Sequence, residues 1–310
     1  MSDYPPLLCV TCRQGTIAEY DPLCCDQCGT VYPRSGGRPV LLRHDNPLFA
    51  PHIYRNDGSA PTLDRGKRRI APDPSVNMAG KRVLNRLHGL LPVADTATVL
   101  VVGGGTQRAD LDRLLCRDRG VRIIYTDIDV RADVDIFADA HDLPFKDASV
   151  DAVVTTAVLE HVMYPERVAA EIARVVKVGG YIYSELPFMQ QVHEGAYDFT
   201  RYSAVGHQRL LKEFTPIECG LVAGPATTLV WALEHFFLAF APGRRSRLLT
   251  KAVIRWGFGW LKYIDYVIKN RPAALDGASC TYLLGEKTGV VRKDEAIVAA
   301  YAGAQNFSHS

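Results

Sequence analysis

The sequence has almost no excess charge of either sign: 36 basic side chains against 34 acidic ones leave a formal net of +2 over 310 residues. A nucleic-acid enzyme more often carries a strongly basic domain, so this balance gives that class no support, although a local patch stays open. The opening MSDYPPLLCV lacks the basic segment and long apolar run of a secretion signal. A cytoplasmic, reducing setting is therefore expected. Charged residues at 23% and hydrophobic residues at 47% are ordinary globular usage, which argues against wholesale disorder and fibrous repeats. The length exceeds one average domain and points to two units of unequal size.

Cysteine is scarce, and in a reducing setting its clustering matters more than its number. Cys9 and Cys12 form one C-x2-C pair, and Cys25 and Cys28 form another. Two such knuckles can supply four thiolates to a tetrahedral zinc ion, each pair reaching the metal from one tight turn. Cys24 adjoins Cys25, but only Cys25 keeps the two-residue spacing to Cys28. A segment of about forty residues is too short to fold on its own core, and structural zinc contributes roughly 10–16 kcal/mol of apparent binding energy to such units. The alternative is a set of buried, redox-inert cysteines.

The string CGTVYPRSGGRPVLL follows the second pair. With Tyr32, Pro33, Gly37, Pro39, Val40, Leu41 and Leu42 it resembles the small zinc-ribbon proteins that activate transfer-RNA and release-factor methyltransferases. The resemblance spans about Leu7 to Arg43, so residues 1–43 are read as a zinc ribbon. Residues 44–76 are rich in Pro, Asn, Asp and Gly and read as a linker. Arg65, Lys67, Arg68 and Arg69 within it read as a solvated face, with a phosphate-binding patch as the alternative.

From Asn77 the pattern changes to alternating helices and apolar strands, as in βαβ units around a parallel sheet. Val83, Leu84, Leu87, Leu90 and Leu91 give a helical face that Pro92 ends. TVLVVGGGTQ reads as a buried strand entering a glycine loop, where Gly103, Gly104 and Gly105 let the backbone approach a ligand at a helix N-terminus. Such a turn also fits dinucleotide-binding domains. The next strand ends in TDID, where an acidic side chain can accept from both ribose hydroxyls of an adenosine ligand. Asp127 is the first candidate and Asp129 the second.

The string ADAHDLPFKDASVDAVVTTAVLEHV, from Ala138 to Val162, with EIARVVKVGGYIYSELPF after it, resembles the third to fifth strand region of small-molecule class I S-adenosylmethionine-dependent methyltransferases. The resemblance runs from about Asn77 to Val222 and again over TYLLGEK. It implies an α/β fold, a Rossmann-like doubly wound methyltransferase sheet, for residues 77–310. It also implies that the methionine moiety lies against Gly103 to Thr106, the ribose at Asp127, and the adenine at Asp139 and the Ala140 amide. Two departures stand out: Val101 where the family usually carries an acidic residue, and Gln107 where glycine is frequent. Asp110 in the following helix is a candidate substitute for the missing carboxylate.

Methyl transfer is an in-line displacement that mainly needs alignment of the nucleophile with the methyl carbon. A hydroxyl acceptor gains from a base, for which His161 and His193 are candidates. His193, Glu194, Asp198, Arg201 and Tyr202 concentrate polar groups just after the fifth strand, where such folds build their sites, and are read as acceptor-binding. The segment resembles a His, Asp and Arg-Tyr pattern of methyltransferases encoded with glycan pathways. Arg201 could clamp an anion or only pair with Asp198.

Residues of about 225–278 form a helical insertion. Its first helix carries Leu229, Leu233, Phe236, Phe237 and Phe240; its second carries Leu249, Val253, Trp256, Trp260, Ile264 and Val267 opposite Lys251, Arg255, Lys262 and Lys269. Neither is long enough to span a bilayer, which takes about 20 apolar residues. A lid, a homodimer contact and a peripheral contact at the inner membrane surface all give this pattern. The function expected is methylation of a small or lipid-linked acceptor, with a sugar hydroxyl favoured. The alternatives are an RNA methyltransferase with a zinc-finger substrate module and a non-catalytic scaffold.

Overall fold

The computed structural model describes residues 4–18, 22–49, 71–93, 96–105, 108–116 and 120–305. The basic run Arg65 to Arg69, together with Thr106 and Gln107, lies outside the described residues.

The N-terminal segment forms β1 (Ile17–Ala18), β2 (Leu23–Cys25) and β3 (Val31–Tyr32), an antiparallel sheet in that order. A hairpin of β4 (Arg34–Ser35) and β5 (Arg38–Leu41) follows. Its turn residues Gly36 and Gly37 both have positive φ, 56° and 80°, the conformation that tight hairpins require and that glycine adopts without steric cost.

The rest alternates: α1 (Gly80–Leu90), β6 (Ala97–Val102), α2 (Arg108–Leu115), β7 (Val121–Asp127), β8 (Ile136–Ala138), β9 (Val150–Thr156), α3 (Pro165–Val175), β10 (Val176–Pro187) and α4 (Ala204–Leu210). Then come β11 (Thr215–Ala223), α5 (Pro225–Leu238), α6 (Arg244–Phe258), α7 (Asp265–Ile268), α8 (Pro272–Asp276), β12 (Cys280–Glu286) and α9 (Asp294–Ala299). The main sheet has the order β11-β12-β10-β9-β6-β7-β8-β5-β4. Strands β10, β9, β6, β7 and β8 run parallel, and β12 is antiparallel to both β10 and β11. The central strands read as unbroken apolar runs because helices cover both faces, so β6 is buried along almost its whole length. This is the doubly wound α/β sheet that the sequence implies.

The N-terminal segment is built into this sheet. Strand β5 pairs in parallel with β8 through Val40↔Phe137 and Leu41↔Ala138. Leu7 bridges Phe145, and Leu7, Val10, Ile17, Leu23 and Tyr32 share one apolar cluster with Leu143, Phe145 and Ile172. Arg13 crosses the same boundary, donating to the Glu171 carboxylate at 3.0 Å, and Arg174 holds that carboxylate from the other side at 2.8 Å. A forty-residue segment cannot bury its apolar faces alone, and the open edge of β8 is the surface available to it.

The insertion differs from the expectation in its second helix. Its second amphipathic stretch breaks after Phe258 into a 3-10 turn over Gly259–Ile264 and the short α7. Gly257 and Gly259 lower helix propensity there. The break lets the buried Asp265 reach the N-terminus of α5, where its carboxylate accepts from the amides of Gly224, Ala226 and Thr227 at 2.9–3.0 Å. Those amides are the donors a helix leaves unpaired at its start, and a carboxylate satisfies them and the helix dipole together.

Candidate active site

The carboxyl ends of β6, β7 and β8 open into a crevice of about 530 Å³, bounded on the far side by the segment 43–49 and by Tyr197 and Phe199. Ligands of open α/β sheets bind at this end of the strands. Gly103 turns the chain out of β6 with φ 73°, and a Cβ there would stand 2.2 Å from Val158 Cγ2. Gly105 is equally constrained, since a Cβ would lie 2.6 Å from the Ala132 Cβ. Its amide points instead at the end of β7 and donates to Asp127 Oδ2 at 3.2 Å.

Asp127 and Asp139, the two acids assigned to the nucleoside, line the crevice with Gly103 and Ala140. Burial raises the Asp127 carboxyl above the usual aspartate range, against the opposing amides of Asp129 and Gly105. Asp129 itself is paired with Arg131 on the surface. At Asp139 burial also pushes upward, but hydrogen bonds from His141 and Asn46 outweigh it and the carboxyl is lowered. One Asp139 oxygen meets His141 Nδ1 at 2.6 Å, and the other accepts from Asn46 Nδ2 at 2.7 Å. A carboxylate has about four lone-pair sites, so an adenine amino group could join these partners or replace the Asn46 amide.

Val101 is buried among apolar side chains. Asp110, the proposed substitute, faces solvent and pairs with Arg113 at 2.9 Å, which removes it from the site. Its position in the first turn of α2 puts it on the outer side of a helix whose inner face is Leu111, Leu114 and Leu115.

The acceptor-side residues divide. His161 lines the crevice with His193 against it, whereas Glu194, Asp198, Arg201 and Tyr202 are not among its lining residues. Arg201 donates to Asp198 and to the carbonyls of Gln190, Gln191 and Thr200 at 2.8–3.2 Å. Its donors are spent inside the loop, the arrangement of the second of the two readings, in which Arg201 pairs with Asp198. Asp198 accepts from the His193 amide at 2.8 Å, and the Arg201 guanidinium holds its carboxyl well below the usual range despite burial. Glu194 is exposed, and Tyr202 is packed against the core with its amide on Pro187 O. The loop is tied to the end of β9 by the Phe199 amide, which donates to Glu160 O at 2.8 Å. Asn46, Phe49, His141, Tyr164, Tyr197 and Phe199 also line the crevice, and the sequence reading did not single them out. Asn46 and Phe49 arrive only because β5 joins the sheet.

The four N-terminal thiols converge as the spacing implies. Cys9 and Cys28 Sγ stand 3.7 Å apart, as do Cys12 and Cys25 Sγ, and all four lie within 4.8 Å of one another. Tetrahedral zinc–sulfur bonds of about 2.3 Å place sulfurs roughly 3.8 Å apart, so the donor set fits that ion. Amides of Gly15 and Gln27 point at Cys12 and Cys25 Sγ at 3.3 and 3.4 Å, as suits thiolates. The Cys24 thiol turns away to Cys25 O.

Comparison with known proteins bears on the crevice. Residues 100–184 match the family Methyltransf_11, described as a methyltransferase domain. No match was found among the curated proteins. Similar solved structures include a chain of the complex between the Haloferax volcanii Trm112 methyltransferase activator and a methyltransferase, at 20% identity and TM-score 0.40, covering 65% of this chain and 87% of that one. A sarcosine dimethylglycine methyltransferase from Galdieria sulphuraria is 16% identical with TM-score 0.44, covering 67% of this chain and 85% of its own. A geranyl diphosphate C-methyltransferase from Streptomyces coelicolor is 14% identical with TM-score 0.44, covering 67% and 74%. The glycine turn, the acidic end of β7 and the strands around them all lie inside or beside residues 100–184, the part of this chain that matches a methyltransferase domain.

Proposed function

We propose that this chain transfers the methyl group of S-adenosylmethionine to a small or lipid-linked acceptor, with a sugar hydroxyl favoured. The single observation that carries this reading is the crevice at the ends of β6 to β8, which Gly103 of the glycine turn, Asp127, Asp139 and His161 all line. The sulfonium cofactor supplies an activated methyl carbon. Gly103 and Gly105 admit its methionine end, Asp127 accepts from the ribose hydroxyls, and Asp139 with the Ala140 amide receives the adenine. Tyr197 and Phe199 close the opposite wall and exclude water. His161, with His193 against it, takes the hydroxyl proton at the acceptor end. Asp198, Arg201 and Tyr202 hold that loop in place, and Glu194 is the group left free to meet an acceptor.

The N-terminal segment is assigned one structural zinc on Cys9, Cys12, Cys25 and Cys28. We assign the insertion to the surface of an anionic membrane, where a lipid-linked acceptor would be met. Phe236, Phe240, Leu249, Trp256, Trp260 and Val267 are all exposed, between 58% and 81%. Arg244, Arg245, Arg247, Lys269 and Arg271 in the same insertion are also exposed, while the acids Glu234 and Asp265 are fully buried. A helix with aromatic and basic faces lies in a membrane interface, and no described helix is long and apolar enough to cross one. The homodimer, and the basic groove an RNA substrate would need, are the competing uses.

Calorimetry with S-adenosylhomocysteine, followed by a labelled-methyl screen on lipid and glycan extracts, tests the reading. Binding at micromolar cofactor with label entering a small or lipid-linked product is expected. Label entering RNA alone would transfer the activity to the RNA reading, and no binding would leave a scaffold.

A further inference from the structure

Glu160, His161 and His193 are arranged in a way that neither the fold nor cofactor binding explains. Glu160 follows the end of β9 and is completely buried, and neither of its carboxylate oxygens has a hydrogen-bond partner among the described protein groups. Buried carboxylates are ordinarily paired or bound to metal, because an unpaired one loses its hydration for nothing in return. The cation in the adjoining loop, Arg201, is committed to Asp198 and three carbonyls.

The two imidazoles present their nitrogens to the same spot. His161 Nε2 lies 3.6 Å from Glu160 Oε1 and 3.1 Å from His193 Nε2. The opposite nitrogens face backbone carbonyls: His161 Nδ1 donates to Tyr197 O at 2.7 Å, and His193 Nδ1 to Gln191 O at 3.2 Å. Asp198 Oδ2 is also near His193 Nδ1, at 3.4 Å. A histidine that donates from Nδ1 keeps its lone pair on Nε2. Both lone pairs and the Glu160 carboxyl group then converge on one point, an arrangement that takes either a proton or a metal cation among them.

We propose that Glu160, His161 and His193 bind a divalent first-row metal ion at the acceptor end of the crevice. Metal bonds of about 2.0–2.2 Å set neighbouring ligand atoms roughly 2.9–3.6 Å apart. The two measured separations match that spacing, and the three ligand atoms all lie within 4.8 Å of one another. Two imidazoles and one carboxylate suit Zn2+, Co2+, Ni2+, Fe2+ or Mn2+ better than Mg2+ or Ca2+, which take all-oxygen sets. The carbonyls of Tyr197 and Gln191 are the outer partners that orient ligating histidines, and the Asp198–Arg201 pair fixes the loop bearing His193.

Three protein ligands leave coordination positions open. Resting on the methyl-transfer reading above, an acceptor hydroxyl bound there loses its proton to solvent more readily, as metal-bound water does. Its oxygen then forms the new bond to the methyl carbon while the carbon–sulfur bond breaks and its electron pair stays on sulfur. The two histidines thus act as ligands, in place of the general base.

The test uses the full chain with its cysteine cluster already loaded with zinc. Co2+ is titrated in, read by calorimetry and by visible ligand-field absorption. One Co2+ per chain is expected, without the intense charge-transfer band of a thiolate site. His161→Ala, His193→Ala and Glu160→Gln should each weaken it at least tenfold. Substitution of the buried Glu160 risks the fold, but His193 sits on a surface loop, so His193→Ala with an unchanged circular dichroism spectrum is decisive. No Co2+ bound by the unaltered chain, Co2+ bound only with a thiolate band, or equal affinity in His193→Ala would each overturn the site; the last would leave a proton shared between the rings. S-adenosylhomocysteine binding on the same preparations separates the two claims. Cofactor binding without Co2+ removes the metal alone, and Co2+ binding without cofactor leaves the metal site standing and removes the methyl-transfer reading.

Discussion

At the scale of single residues, two side chains carry separable consequences. Asp127 is held at the crevice by the Gly105 and Asp129 amides, with its second role toward the ribose. Asp127→Ala should weaken cofactor binding by about 1.5–3 kcal/mol, the scale of hydrogen bonds to a charged group, without unfolding the domain. Calorimetry with S-adenosylhomocysteine measures it, and an unchanged affinity would move the ribose elsewhere. His207 is a different case. It is fully buried between Thr281 Oγ1 and Ser184 Oγ, at 3.1 and 2.9 Å, and burial pushes its pKa down to about 3. The folded state favours the neutral ring, so its stabilising contribution is complete above the unfolded value near 6.5 and is lost as pH falls toward 3. Between pH 6.5 and 5 the loss approaches about 2 kcal/mol. Urea unfolding at the two pH values, compared with His207→Gln, isolates it, because Glu160 and Glu185 are raised by burial and titrate in the opposite sense. An identical pH dependence in the variant would sink the assignment.

At the scale of elements, the loop after β10 and the insertion act differently. The loop's polar groups bond mainly to one another, so Arg201→Ala should leave cofactor affinity unchanged and let the wall carrying Tyr197 and Phe199 drift. A displacement of about 1 Å can cost roughly a hundredfold in turnover, which a kcat measurement at saturating cofactor would show. Loss of cofactor binding together with kcat would instead make the loop part of the fold's core. The insertion carries aromatic rings that are more than half exposed, and its basic residues suggest the occupant. Sedimentation with vesicles should therefore pull the chain down with anionic lipid, weaken at high salt as screening shortens, and fail for Trp256→Ala with Trp260→Ala. Binding to neutral vesicles alone, or a concentration-dependent dimer that buries these rings, would argue for another occupant.

At the scale of the whole molecule, the cysteine segment is part of the main sheet. Strand β5 covers the edge of β8, and residues 43–49 continue directly into the crevice wall. If zinc organises that segment, its removal should disturb both stability and the site. Chelation of the purified chain, after metal analysis has found one zinc on the four cysteines, should lower Tm by more than about 10 °C, since each kcal/mol moves a chain of this size by roughly 2 °C. S-adenosylhomocysteine affinity should fall with it, because Asn46 and Phe49 lose their support. A metal-free chain that melts and binds as before would show that apolar packing alone suffices.

The local chemistry was legible in the order of residues. Paired cysteines at fixed spacing, a glycine turn after a buried apolar strand, and an acid at the next strand's end each depend on neighbours in sequence, and period and spacing record such relations directly. The parallel βαβ sheet followed from the same alternation, and its doubly wound form from the resemblance to class I methyltransferases. What the tertiary structure decided rests on contacts between distant positions. Only folding put Asn46 onto Asp139, ninety-three residues away, and joined β5 to β8. Only folding turned Asp110 outward and spent the donors of Arg201 within its own loop. The same holds for Glu160 and His193, which no periodicity links: the sequence names their types, but the return of the chain after β10 sets His193 beside His161, the neighbour of a buried carboxylate with no hydrogen-bond partner among the described residues.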